Sequence, residues 1–76
     1  MDNEKIFQIF LDDKPYKVKK FQLKEKLSDV RKVLDISEYY EFINENGKNV
    51  EIGDEEKFTL DNLCEDKKKR NIYFKM

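Results

Sequence analysis

Histidine and tryptophan do not occur in this chain; cysteine and proline occur once each and glycine twice. Without histidine there is no His-dependent catalytic triad, and two isolated glycines, Gly47 and Gly53, make no phosphate-cradling loop. The lone Cys64 forms no intramolecular disulfide and, with no histidine to join it, no zinc site. Placed directly after Leu63, it reads as a small core or rim residue rather than an activated nucleophile. The lack of disulfides points to a reducing, intracellular setting, cytoplasmic or nuclear. The acidic run Asp54, Glu55 and Glu56 lacks the alternating ligand spacing of a calcium loop and reads as a solvated loop. Long apolar runs are missing too: none approaches the roughly 20 residues of a membrane span. The stretch from Met1 to Lys5 has no signal-peptide character. Nor does one sign of charge dominate. Sixteen basic and 17 acidic residues leave a net charge of −1, whereas phosphate binding needs a net basic face. The expectation is a non-catalytic chain with no cofactor and no metal, binding neither nucleic acid nor membrane.

What is present is enough for one small domain. The chain has 76 residues, 38% of them hydrophobic, with six phenylalanines and four tyrosines to fill a single core. Ile6 to Leu11 is rich in β-formers and predicts a first strand. Asp12-Asp13-Lys14-Pro15 predicts a turn, because Asp bonds local backbone donors and Pro presets φ. Tyr16 to Lys19 alternates apolar and charged, as a half-buried second strand does. Phe21 and Leu23 fall on the opposite parity from Tyr16 and Val18, so a bulge near Lys19-Lys20 is expected to return both pairs to the core. Leu27, Val30, Val33 and Leu34 recur at helical spacing, predicting a helix over about 26–35 with Ser28, Asp29, Arg31 and Lys32 on its other faces. Tyr39 to Ile43 predicts a third strand, with Asn46-Gly47 as a type I′ hairpin turn and Val50-Glu51-Ile52 as the returning fourth. Gly53 to Glu56 reads as a solvated loop. Thr59 should then cap a single helical turn that buries Leu60 and Leu63. Lys67-Lys68-Lys69 and Arg70 read as a solvated loop, and Ile72 and Phe74 drive a last strand inward.

Two strands, a helix, two strands, a short helical turn and a strand make an α+β β-grasp, a mixed sheet of four to five strands packed on one helix. In this order the chain resembles the ubiquitin superfamily. Lys26-Leu27-Ser28-Asp29-Val30-Arg31-Lys32-Val33-Leu34 is similar to the ubiquitin helix in its apolar spacing. Thr59-Leu60-Asp61-Asn62-Leu63 resembles the Thr-Leu-Ser-Asp-Tyr segment before ubiquitin's final strand. Ile43 followed by Gly47-Lys48 resembles ubiquitin's Ile-Phe-Ala-Gly-Lys hairpin with two residues added. The chain departs from ubiquitin in having no Gly-Gly tail and in carrying Asp12 and Asp13 where ubiquitin has the leucine that tips its first hairpin. With Phe74 anchored in the core, the two residues beyond it span about 7 Å, too short to thread an activating enzyme. The expectation is a single non-conjugating ubiquitin-like module over 1–76, itself part of a longer protein.

The resemblance implies a monomeric interaction module whose partner is another protein or another domain of the same polypeptide. Alternation in the first strand turns Phe7, Ile9 and Leu11 toward the helix and Ile6, Gln8 and Phe10 outward. The final strand of a β-grasp lies beside the first, so outward Tyr73 and Lys75 join that row, and Ile43 joins from the third strand. The expected binding surface is Ile6, Phe10, Ile43 and Tyr73, edged by Lys17, Lys19 and Lys75. Two alternatives stand beside it. One is a Ras-type small-GTPase-binding domain using Lys17, Lys19, Lys20 and Arg31 by strand addition; the other is an N-terminal header of a larger effector. The lysine row is also what protects an edge strand from aggregation.

Overall fold

The computed structural model describes residues 4–63 and 70–76. Its order is β1 (Glu4–Leu11), β2 (Lys14–Gln22), α1 (Leu27–Leu34), β3 (Glu41–Ile43), β4 (Asn49–Val50), a 3-10 turn (Ile52–Asp54), α2 (Leu60–Leu63) and β5 (Asn71–Lys75). The strands form one sheet in the order β2-β1-β5-β3-β4. β1 and β5 run parallel in the centre, and every other pairing is antiparallel. This mixed sheet with one main helix is an α+β architecture of β-grasp type.

The core lies between the sheet and α1. Phe7 and Ile9 of β1, Phe21 of β2, Phe42 of β3, and Ile72 and Phe74 of β5 supply the sheet side. Leu27, Val30 and Leu34 of α1 and Leu60 and Leu63 of α2 meet them. The sheet side is built on aromatics: Phe42 and Phe74 pack with centroids 4.3 Å apart, and Phe7 lies 6.2 Å from Phe21. Such pairs add to the area they bury. α1 starts after Lys26, which bridges Thr59, and closes at Asp35 in the left-handed conformation with φ 55°. α2 is held by a reciprocal cap. Asn62 N–H donates to Thr59 Oγ1 at 3.4 Å, and Thr59 N–H donates to Asn62 Oδ1 at 3.0 Å. Backbone bonds from Leu27 N to Phe58 O and from Leu60 N to Glu25 O stitch the starts of the two helices together.

Several local expectations are corrected. The register shift falls where Ile9 pairs with Lys17 and Phe10 with Pro15, so the bulged residue is Tyr16, not Lys19 or Lys20. Beyond it Val18 pairs with Gln8 and turns outward, 62% exposed, instead of entering the core. The turn with positive φ at both central residues is Asp12-Asp13, with φ 49° and 68°. At the second hairpin Gly47 alone has positive φ, and Gly47 N–H donates to Asn44 O while Asn44 N–H donates to Lys48 O. That is a type I turn followed by a glycine bulge, the three-residue hairpin solution rather than type I′. β3 begins at Glu41, leaving Tyr39 outside it and exposed, and β4 ends at Val50, with Ile52 already in the 3-10 turn. Val33 is 47% exposed rather than core. Cys64 and the lysines 67–69 lie outside the described residues, and Arg70 is exposed.

Candidate protein-binding surface

Register decides which side chains share the outer face of the sheet. Phe7 and Ile9 are buried against the helix, so the alternate residues Ile6, Gln8 and Phe10 face away from it. Phe10 pairs with Tyr73 on the parallel neighbour β5, and Tyr73 pairs with Ile43 on β3. Ile6, Phe10, Tyr73 and Ile43 therefore share one face, as expected from alternation. Phe10 and Tyr73 are stacked in the middle of it, with centroids 5.0 Å apart and ring planes 16° from parallel. Tyr73 Oη accepts a hydrogen bond from Asn71 Nδ2 at 3.1 Å. Ile6 is the most exposed of the four at 57%. Lys75 is also on this face; its Nζ lies 3.6 Å from Asp13 Oδ2, and its cross-strand neighbour is Glu41.

Lys17 and Lys19 do not join them. Lys17 pairs with Ile9 and Lys19 with Phe7, residues that face the helix, so both lysines sit on the helix side of the sheet. They stay exposed there because β2 is an edge strand, and the tail of Lys17 lies over the Tyr16 ring with Nζ 4.9 Å from its centroid. The bulge at Tyr16 sets this parity. On the outer face β2 instead supplies Val18 and Lys20, opposite Gln8 and Ile6. Val18 extends the apolar row to the sheet edge, a member that assigning it to the core had removed.

Arg31 is not a surface residue. It is 8% exposed and Glu55 is 1% exposed, although the helix pattern and the acidic run put both in solvent. Arg31 Nε donates to Glu55 Oε1 and Oε2 at 2.9 and 3.0 Å, and Nη2 donates to Oε2 at 2.7 Å. The remaining donors reach backbone carbonyls, Nη1 to Ser37 at 2.8 Å and Nη2 to Tyr40 at 2.6 Å. The guanidinium also lies 5.6 Å from the Phe42 ring and 5.5 Å from the Phe74 ring. A buried charge is tolerated when it is paired and its hydrogen bonds are filled, and here both conditions hold. One side chain thus ties α1 to the 37–40 crossover and to the loop after the 3-10 turn. That commitment removes Arg31 from any strand-addition surface.

Among the described residues no group of three acidic or cysteine side chains is placed to hold a metal, and no helix is long and apolar enough to cross a membrane. No family model, no curated protein and no solved structure matches the chain.

Proposed function

We propose that this domain is a non-catalytic, ubiquitin-like protein-interaction module that engages its partner through the outer face of its sheet. The observation that carries this reading is the Phe10–Tyr73 stack, continued by Ile6 and Val18 on one side and Ile43 on the other. Small domains leave scattered apolar atoms in water. A row that crosses four adjacent strands with an aromatic pair at its centre is what interface cores are made of. A partner in trans and a neighbouring domain of the same polypeptide would use the same row. Lys20 adds positive charge at one margin, whereas at the other Lys75 is offset by Asp13 and Glu41, so the apolar centre carries the recognition. Chemical-shift mapping on the monomeric domain tests the assignment: a partner should move the amides of Ile6, Phe10, Ile43 and Tyr73. Shifts confined to α1 would sink it.

A second reading, a Ras-type small-GTPase-binding domain, draws on β2. This edge strand carries Lys14, Lys17, Lys19 and Lys20, all exposed, with one side of its backbone unpaired by the sheet. An extended acidic edge could add to it. Arg31 contributes nothing to such a surface, being committed to Glu55. A pull-down against GTP-loaded and GDP-loaded GTPases decides this reading, since it requires nucleotide-dependent capture.

A further inference from the structure

An open groove of about 350 Å³ runs between the first turn of α1, the β3–β4 hairpin and α2, away from the outer face. Its floor is apolar, formed by Leu27, Val50, Phe58 and Leu63. Leu27 and Leu63 belong to the core, whereas Phe58 remains 41% exposed. The polar side chains lining it are Asn44, Lys57 and Asn62.

The hydrogen bonding of the two asparagines fixes what they offer. Asn44 Oδ1 accepts from the N–H groups of Asn46 and Lys48 at 2.9 and 3.0 Å. Asn62 Oδ1 accepts from the N–H and Oγ1 of Thr59 at 3.0 and 3.1 Å. Each carbonyl oxygen is therefore turned to its own loop and filled twice, and the group left over is the NH2, a pure donor. Lys57 Nζ sits 3.4 Å from Asp54 Oδ1 in an exposed contact of the kind that exchanges readily. Among the described residues that line the groove none is a carboxylate. Two amide donors and one ammonium over an apolar floor suit a carboxylate placed next to an apolar side chain.

We infer that this groove is a second binding site, for an extended acidic peptide segment whose Asp or Glu carboxylate meets Asn44, Asn62 and Lys57 while a neighbouring apolar residue covers Phe58. A free chain end would offer the same carboxylate chemistry, and the test separates the two. The site shares no residue with the outer face, so either can fail without the other.

The test is an NMR titration of the isotope-labelled full chain with the blocked peptide Ac-Phe-Glu-Leu-Asp-NH2. Its Gln/Asn isostere and an acid-free peptide with a free C-terminal carboxylate serve as comparisons. The expected result is a set of shifts at Asn44, Lys57, Phe58, Asn62 and Leu63. Binding should weaken about tenfold for the isostere, the amount one charge-assisted hydrogen bond supplies. Lys57→Gln should weaken it severalfold, and Ile6→Asp on the outer face should leave it unchanged. Equal binding of the isostere, shifts confined to the outer face, binding of the free-carboxylate peptide alone, or no shift at millimolar peptide would each overturn the inference.

Discussion

At the scale of single residues, the Arg31–Glu55 pair has the largest consequences. Glu55 accepts three hydrogen bonds from Arg31, and Arg31 also holds the carbonyls of Ser37 and Tyr40. Removing the acid leaves a guanidinium buried against Phe42 and Phe74 without its counter-charge. Glu55→Ala should therefore lower the unfolding free energy by about 3–5 kcal/mol in a urea titration. The double variant Arg31→Met, Glu55→Leu should recover most of that loss, because an apolar pair has no charge to strand. Additive losses would show that the pair does not act as a unit. Half of this arrangement was readable in the sequence. Leu27, Val30, Arg31 and Leu34 follow the i, i+3, i+4, i+7 spacing of one helix face, and Val33 falls off it. Hydrophobicity alone favours Val33 for the core, whereas the helical period favours Arg31. The acid 24 residues away carries no such mark, since local sequence does not say which carboxylate a buried arginine will find.

Elements show the same division between pattern and partner. Helix α1 runs Leu27–Leu34 within the expected span, and α2 buries Leu60 and Leu63 as expected, because both depend on short-range spacing and a capping threonine. Leu34→Ala should cost about 2–5 kcal/mol as a core truncation, whereas Val33→Ala should stay within about 0.5 kcal/mol. Comparable losses at the two positions would mean that the helix is rotated from its described face. The β1–β2 hairpin was legible as a hairpin but not in its register. Its turn puts Asp12 and Asp13 in left-handed conformations that Asn-Gly fills with less strain. Replacing the pair by Asn-Gly should raise stability by about 1 kcal/mol, read as a higher urea midpoint at constant slope. A lower midpoint would assign more to Asp13–Lys75 and to the Met76 N–H bond to Asp12 than their exposure suggests. The bulge at Tyr16 escaped the sequence because the parity change between Val18 and Phe21 reads as a bulge at Lys19-Lys20 only if both residues are core. Val18 lies on the outer face and needs no bulge after it. Only the pairing of Ile9 with Lys17 and of Phe10 with Pro15 places the bulge.

Over the whole molecule, the bulge determines which surface the domain presents. It sends Val18 and Lys20 to the outer face and Lys17 and Lys19 to the helix side, so the edge strand carries positive charge on both sides. Two copies meeting edge to edge in register would bring lysine toward lysine, which opposes self-pairing through this edge. The row from Val18 through Ile6, Phe10 and Tyr73 to Ile43 was legible except for its first member, since strand alternation and the order of a β-grasp place the other four. The most direct measurement is an amide-shift map of the labelled domain with a protein partner recovered by it, repeated with Ile6→Asp. Shifts at Ile6, Phe10, Ile43 and Tyr73 are expected, with at least a tenfold loss of affinity in the variant, about 1.4 kcal/mol. Shifts restricted to α1, or an Ile6→Asp domain that is folded and binds as tightly as the parent, would contradict binding through the outer face.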